Sequence, residues 1–402
     1  MIAVVLLLVA AAGHAAIWAG SVNRTHASGW SHALVSKLDK LEFFLLFVPP
    51  PAVAVWLFWI PPESLMPWRV FAAAPGRLSP GMAALACYLV VCWLAAAFVL
   101  VARVRRVFLY DVSAVLRFHR RRSLNTRNVL HSPDHPHHAL VHLPGNQCLE
   151  LDLTERGLDV PRLPAGLDGL SIIHISDLHY TGHVGKPFFE EMARMSNSLE
   201  PDIVAVTGDI ADKNDYIDWI PDTLGRLRAR YGVYYIFGNH ELRIDWRRMA
   251  RVMDDCGLIY VGGRWRTVEV RGQPILLAGN ELPWFKPAAD PRTFPPRSEV
   301  PFRVILAHSP DQLQWARRAD ADLMLAGHTH GGQIRLPFIG PILSPSLQGV
   351  QYASGLFHVP PTILNVSRGL SGEVPLRLNC PPEIIRLTLH AGGEKSVADR
   401  AE

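Results

Sequence analysis

A helical, membrane-spanning region followed by an α/β sandwich is the architecture that this sequence predicts. Three observations carry the prediction. Hydrophobic residues make up 49% of the 402 positions and the mean hydropathy is +0.13, yet the apolar excess is concentrated near the N-terminus. The run from Met82 to Ala102 contains no charge, proline or glycine. From about residue 160 onward, short β-branched runs alternate with amphipathic stretches, the texture of strands exchanging with helices.

The run from Met82 to Ala102 is long enough, at about 1.5 Å per residue, to cross a hydrocarbon core of about 30 Å. It stops at Arg103, Arg105 and Arg106, charges that belong at an interface. Met1 to Gly20 is apolar apart from His14, and its lack of a basic start argues against a cleaved signal peptide. Phe43 to Ile60 is also apolar but contains Pro49, Pro50 and Pro51, each of which removes an amide donor. It reads as a broken spanning helix or a re-entrant hairpin. A transmembrane region over residues 1–110, with spans near 1–20, 43–60 and 82–102, is therefore expected.

Orientation follows from arginine bias. Eight arginines and one acid, Asp111, lie between Arg103 and Arg127, a local charge of +7. That segment is expected to stay in the cytoplasm and to hold the following domain there, with the loop 20–40 (Arg24, Lys37, Lys40) also inside and the loop 62–81 (Arg69, Arg77) outside. Since the whole chain carries +4, the remainder is −3, so the main domain offers no basic surface and no nucleic-acid partner is expected. The lipid bilayer is the expected partner. Residues 111–160 read as a basic, histidine-rich juxtamembrane linker and entry strand, whose arginines could each gain about 1 kcal/mol against anionic headgroups. His131, His135, His137, His138 and His142 sit in loop-like sequence, where nothing fixes a ring as a metal ligand requires. The five cysteines (87, 92, 148, 256 and 380) show no pairing or metal-finger spacing and read as small buried apolar groups.

The main domain is expected over 161–392, with a flexible tail at 393–402. Strands are predicted at Leu170–Ser176, Asp202–Thr207, Val233–Phe237, Arg303–Ala307 and Asp322–Ala326. Helices are predicted at Pro187–Leu199, Tyr216–Arg230, Asp245–Cys256 and Pro310–Arg318. Each strand is followed at once by side chains that can hold a metal. They are Asp177 and His179, then Asp209, then Asn239 with His240 and Glu241, then His308, and finally His328 and His330. Strand ends of an open α/β sheet converge on one crevice, so five such ends in succession are hard to reconcile with isolated core histidines. Asp-x-His and His-Thr-His would each place two side chains on one side of an extended segment. Gly208 and Gly327 would let the backbone approach a crowded centre. Mixed oxygen and imidazole donors without thiolate suit manganese, iron or zinc in a reactive rather than a structural site.

The succession D-x-H, G-D, G-N-H-E, H, G-H-T-H from Asp177 to His330 resembles the calcineurin-like metallophosphoesterases. The longer form from Gly327 to Ile334, Asn365 to Leu370 and Pro381 to Ile384 look like their YkuE/YaeI-type branch. The similarity runs from about position 150 to 390 and leaves positions 1–110 outside it. It implies a four-layer α-β-β-α sandwich with two mixed sheets and two divalent ions, manganese first, with iron or zinc as the other options. It also implies that Asp177, His179 and His330 hold one metal, that Asn239, His308 and His328 hold the other, and that Asp209 bridges both. His240 would act on the substrate, and Asp212 would support the site without being a ligand. Arg368 reads as a partner of Glu373 in preference to a phosphate contact.

The expected chemistry is hydrolysis of a phosphodiester or pyrophosphate by a water that two metals acidify, with His240 and Asp209 as the catalytic pair. The anchor, and Trp284 and Trp315, point to a lipid-linked substrate. Some enzymes of the resembled branch hydrolyse UDP-diacylglucosamine-type lipids. A broad phosphomonoesterase would use the same metals. A nuclease fits the charge poorly, and a non-enzymatic scaffold would not need every block intact.

Overall fold

The computed structural model describes residues 2–50, 80–109, 112–125 and 139–392. The chain forms two compact units, Met1–Leu109 and Tyr110–Glu402.

The first unit is helical. Helix α1 spans Ile2–Ala27, α2 spans His32–Phe47 and α3 spans Pro80–Leu109. Within α1, Val4–Ala27 is long and apolar enough to cross a membrane, and so is Ala83–Val104 within α3. These two helices touch backbone to backbone. A Cβ on Gly13 would stand 1.7 Å from the Cys92 carbonyl oxygen, the close approach that small residues permit between apolar helices. Polar contacts also tie them: His14 Nδ1 lies 2.7 Å from Tyr88 Oη, and Trp93 donates to the Leu6 carbonyl at 2.9 Å. Helix α2 joins α1 through a buried carboxylate, Glu42, which accepts from Ser21 at 2.6 Å and Thr25 at 2.8 Å. The predicted 20–40 loop is thereby reduced to residues 28–31, because both helices extend into it. The predicted 43–60 span is described only at its start, in α2, and its remainder from 51 lies outside the described residues. So do most of the predicted 62–81 loop, the tail at 393–402, and His131, His135, His137 and His138.

The second unit is built on two mixed sheets. The first contains, in spatial order, β1 (Leu116–Asn125), β2 (Glu150–Val160), β15 (Glu383–Ala391), β3 (Leu170–Ile175), β4 (Ile203–Thr207), β5 (Val233–Ile236) and β6 (Ile259–Tyr260). The second runs β13 (Gly355–Val359), β14 (Thr362–Val366), β10 (Leu323–Ala326), β9 (Phe302–Ala307), β8 (Gln273–Asn280) and β7 (Trp265–Val270). A short antiparallel ribbon pairs β11 (Arg335–Leu336) with β12 (Gly340–Pro341). β3 to β6 are mutually parallel, and so are β8, β9, β10 and β14.

Period-two alternation assigns each side chain to a layer. Leu170, Ile172, Ile203 and Ala205 face Val304, Leu306, Leu323 and Leu325 across the space between the sheets. Ile173, Ile175, Val204 and Val206 point outward onto Phe188, Phe189 and Met192 of α4 (Lys186–Ser198) and Met249 and Met253 of α5 (Trp246–Asp255). Ile305, Ala307, Met324 and Ala326 meet Leu313 and Ala316 of α6 (Leu313–Arg318). The result is the four-layer α-β-β-α sandwich. The predicted helix at Tyr216–Arg230 is instead two 3₁₀ segments, Asn214–Asp222 and Leu224–Arg226. Pro221 lies inside the first and cannot donate an amide hydrogen bond, so a regular helix is not sustained.

The arginine segment contributes more than charge. Arg117, Arg120, Arg121 and Arg122 lie on β1, which pairs antiparallel with β2, so this stretch is built into the sheet. Arg121 bonds Asp152 at 2.5 Å. Asp152 is also held by Arg368 at 2.7 Å, and Arg368 in turn bonds Glu383 at 2.9 Å. Glu383 lies on β15 and accepts from Thr154 of β2 at 2.9 Å. Despite burial, Arg368 and Arg156 hold the Glu383 carboxyl down to about 2. Arg368 is therefore a buried tie among β2, β15 and the segment after β14, and Glu373 pairs with Arg243 instead, at 2.8 Å. Replacing Arg368 with Met removes the cation that two buried carboxylates share, leaving Asp152 to Arg121 and Glu383 to Arg156 and Thr154, and should lower stability by up to roughly 3 kcal/mol. Chemical unfolding of the solubilised chain measures this, and a loss no larger than that of an exposed arginine would contradict the assignment.

Candidate functional site

The parallel strands of both sheets end at one place, and the loops that leave them carry the polar residues. Asp177 and His179 follow β3, Asp209 follows β4, Asn239 and His240 follow β5, His308 follows β9, and His328 and His330 follow β10. The structure brings all of these together. Asp177, His179, Asp209 and His330 form one group of converging donor atoms, and Asp209, His308 and His328 form another, the atoms of each lying within 4.8 Å of one another. Asn239 Oδ1 stands 3.2 Å from His308 Nε2 and so belongs to the second group. A third convergence, of His179, Asp212 and His240, lies behind the first.

The residues do not meet by strand alternation, as the D-x-H and H-T-H spacing suggested. Asp177, His179, Asp209, His328 and His330 all adopt left-handed backbone, with φ between 44° and 69°. Each such residue other than glycine costs of order 1–3 kcal/mol and persists only where its surroundings impose it. Here the loops turn back sharply after each strand and aim side chains inward. The crowding is severe enough to demand glycine. A Cβ on Gly208, whose φ is 90°, would approach the Gly238 amide to 2.5 Å, and one on Gly327 would stand 1.8 Å from Ser176 Oγ.

Hydrogen bonds fix the cluster from behind. Asp177 accepts the His328 amide with both oxygens, at 2.9 and 3.1 Å. Glu241 accepts the amides of Gly238 and Ile210, each at 2.6 Å, and of Asp209 at 3.1 Å, so one buried carboxylate binds the β4 and β5 loops to each other. His308 Nδ1 donates to the Thr207 carbonyl at 2.7 Å, which leaves Nε2 facing the cluster. Asp212 receives Nδ1 of His179 at 3.0 Å and Nδ1 of His240. Burial opposes ionisation of Asp212, yet the two imidazoles hold its carboxyl well below the usual carboxylate range. As an ionised carboxylate it only accepts, so both rings carry their proton on Nδ1 and present Nε2 inward.

Electrostatics show what the cluster wants. Burial pulls His179 down, but Asp212, Asp209 and Asp177 together push it up to about 10. Burial opposes the charge on His308 as well, and Asp209 and Asp177 drive it up to about 9. The carboxylates draw protons onto buried imidazoles in the absence of any stronger positive charge between them. Asp209 makes the point most directly. Its Oδ1 accepts the His240 amide at 2.9 Å. Its buried Oδ2 receives no hydrogen bond, and is ringed instead by Nε2 of His308 at 3.2 Å, His179 at 3.6 Å and His240 at 3.9 Å. An orphaned carboxylate oxygen between two groups of imidazole lone pairs fits a pair of divalent cations, which would displace the extra protons on binding.

Glu281 escaped the sequence reading, and Glu241 and Trp284 take parts other than those it gave them. Glu241 was visible in the G-N-H-E block, but a role as a clamp on backbone amides has no signature in residue type. Trp284 packs its ring 5.4 Å from that of His308 and 4.7 Å from that of His328, walling one side of the cluster, whereas Trp315 packs against the outer core of the second sheet. Glu281 accepts the Phe237 amide at 2.6 Å and the Tyr260 hydroxyl at 2.8 Å beneath the β5 loop.

Burial pushes the Glu281 carboxyl from 4.5 up to about 7. The folded chain then keeps a proton that the unfolded chain releases, so this group's contribution is fully present below pH 4.5 and lost as pH rises to about 7. Glu281→Gln keeps an acceptor for the Phe237 amide without that penalty. Its stability relative to the native chain should improve between pH 5 and pH 8 by roughly 2.5 kcal/mol, because each tenfold change in proton affinity is worth about 1.4 kcal/mol. Unfolding at several pH values reads the difference, and a gap independent of pH would contradict the burial argument.

Comparison with known proteins agrees with the geometry. Residues 170–332 match the family model of the calcineurin-like phosphoesterases. The uncharacterised metallophosphoesterase YkuE of Bacillus subtilis is 30% identical over 246 residues, which cover 60% of this chain and 85% of YkuE. The phosphodiesterase YaeI of Escherichia coli is 28% identical over 224 residues, 54% of this chain and 81% of YaeI. The UDP-2,3-diacylglucosamine pyrophosphatase LpxG of Chlamydia trachomatis is 26% identical over 288 residues, 58% of this chain and 88% of LpxG.

Proposed function

The chain belongs to the calcineurin-like metallophosphoesterase family and is a phosphoric ester hydrolase, and from that premise we propose that it cleaves a phosphodiester or pyrophosphate bond in a lipid-linked substrate at a membrane surface. In this reading Asp177, His179 and His330 hold one divalent cation, Asn239, His308 and His328 hold a second, and Asp209 joins the two. Manganese is proposed for both positions, with iron or zinc also compatible with the mixed oxygen and imidazole donors. The observation that carries the proposal is the buried, unbonded Oδ2 of Asp209 at the junction of both donor groups.

Two cations held there would polarise phosphoryl oxygens and acidify a water between them. The chain's own residues supply the rest. His240 is fixed at both ends, by its amide on Asp209 and its Nδ1 on Asp212, so only Nε2 faces the reacting centre. In its imidazolium form the ring carries a second proton on that nitrogen, placed to be given to the departing oxygen. Asp212 serves both rings at once, holding His179 with its lone pair inward for a cation and His240 with its Nε2 inward for proton transfer. No covalent intermediate on the chain is needed, so attack by water in a single displacement is the expected course.

The lipid-linked substrate rests on two supports. The chain carries two helices long and apolar enough to cross a membrane. The relative LpxG is by name a pyrophosphatase of a UDP-linked diacylated sugar. The arginine-rich segment that begins in the last turns of α3 favours a multi-pass anchor with the catalytic unit in the cytoplasm.

The test compares the manganese-loaded chain on a bis-aryl phosphodiester, an aryl phosphomonoester and a UDP-linked diacylglucosamine. The expected order places the lipid pyrophosphate first and the monoester last, and a preference for the monoester would overturn the substrate class. In the same assay His240→Ala should keep both cations and lose about 10²–10⁴-fold in turnover. Loss of a cation in that variant would assign His240 to the ligand set instead.

A further inference from the structure

We propose that the β11–β12 hairpin, immediately after His330, dips into the bilayer that the chain's own helices cross and seats the catalytic mouth against the lipid surface. This requires the membrane anchoring proposed above, and does not require any particular substrate.

The hairpin is short and its tip is apolar. Arg335 pairs with Pro341 and Leu336 with Gly340, and the turn between them is Pro337-Phe338-Ile339. Phe338 is 109% exposed and is held in left-handed backbone, with φ of 62°. A bulky residue in that conformation is a true outlier. Around it Ile334, Leu336, Ile339, Ile342 and Leu347 are 40–54% exposed. Scattered surface hydrophobes are ordinary, but a succession of exposed apolar side chains on and beside one hairpin, with a bulky residue at its tip, marks a candidate interaction site.

The base of the hairpin is rigid. The Arg335 amide donates to the Leu378 carbonyl at 2.9 Å, the Leu378 amide donates to the Gln333 carbonyl at 3.0 Å, and the Arg335 guanidinium bonds Ser354 at 2.8 Å. The tip is therefore presented rather than free to fold back. Only Gly331, Gly332 and Gln333 separate His330 from the start of the patch.

Charge selects the occupant. From position 331 to 372 the chain has no Asp or Glu, while Arg335 stands at the base of the hairpin. An apolar tip above an arginine suits acyl chains below anionic headgroups, because the hairpin itself brings no carboxylate into lipid, and the Asp311 carboxylate beside Leu347 is already bonded to Ser346 and the Leu347 amide. The chain also carries its own bilayer, since Val4–Ala27 and Ala83–Val104 are each long enough to span one, so the lipid is tethered at high local concentration.

The full chain, with exposed Cys87 and half-buried Cys256 replaced by Ser, is labelled with an environment-sensitive fluorophore at Phe338→Cys. The control label is at Arg292→Cys, on a loop of the catalytic unit. Both proteins are reconstituted in vesicles of phosphatidylcholine and phosphatidylglycerol. Nitroxide-bearing lipid should quench the label at 338 by about half and that at 292 by no more than about a tenth, as expected for a group lying about 5–10 Å below the headgroups. Equal accessibility of both labels to aqueous iodide overturns the proposal. Protection from iodide at 338 without quenching by lipid also overturns it, and points to a protein partner or a second copy on the hairpin. A chain that fails to float with vesicles removes the anchor and this inference together, whereas hydrolysis of the soluble bis-aryl diester reports the catalytic reading independently of either.

Discussion

A carboxylate with one oxygen committed and the other left bare, inside a protein, is costly unless something positive meets it. Asp209 is in that position. Its Oδ1 is bound to the His240 amide, and its Oδ2 looks into a ring of three imidazole nitrogens without a hydrogen bond. Most of the surrounding construction can be understood as holding that oxygen where it is. Gly208 supplies a conformation in which a Cβ would strike the next loop, and Glu241 clamps the Asp209 and Gly238 amides together. Asp212 fixes two of the three facing rings from behind.

The two-sheet architecture makes this possible because strands from separate sheets deliver their loops to the same point. β3, β4 and β5 bring Asp177, His179, Asp209 and Asn239 from one sheet, and β9 and β10 bring His308, His328 and His330 from the other. The apolar layer between the sheets, built from residues such as Ile172, Ala205, Leu306 and Leu325, therefore sets the distance across the cluster. Left-handed backbone at Asp177, His179, Asp209, His328 and His330 stores strain that this core and the buried ion network of Arg368, Asp152 and Glu383 must outweigh. Stability built in the scaffold is what allows a destabilised, cation-seeking centre at its edge.

Much of this was legible in the residues. Short β-branched runs placed β3, β4, β5, β9 and β10 nearly where they lie, and the polar residues following them are the ones that converge. The legible part is the part that depends on local pattern. The geometry of convergence was not, because D-x-H on a strand and D-x-H on a left-handed turn are the same letters. The arginines on β1 read as a linker since a strand of charged residues at a sheet edge lacks apolar alternation, and its partner β2 begins only at Glu150. Tyr216–Arg230 had helical periodicity but carried Pro221 in the middle. The roles of Glu281 and Arg368 come from contacts between distant parts of the chain, Glu281 with Phe237 and Arg368 with Asp152, which no local pattern encodes.

The helical unit and the phosphoesterase unit make physical sense as parts of one device if the ester to be cut lies at a lipid surface, since anchoring then replaces affinity for a soluble ligand. The central claim remains the shared carboxylate. Electron paramagnetic resonance of the full chain loaded with manganese tests it most directly, because two ions joined through one carboxylate couple magnetically. A shared Asp209 predicts two manganese ions per chain with an exchange-coupled spectrum in the native protein, and its collapse in Asp209→Asn. A spectrum of isolated ions in the native chain, or an unchanged coupled signal without the Asp209 carboxylate, would contradict it.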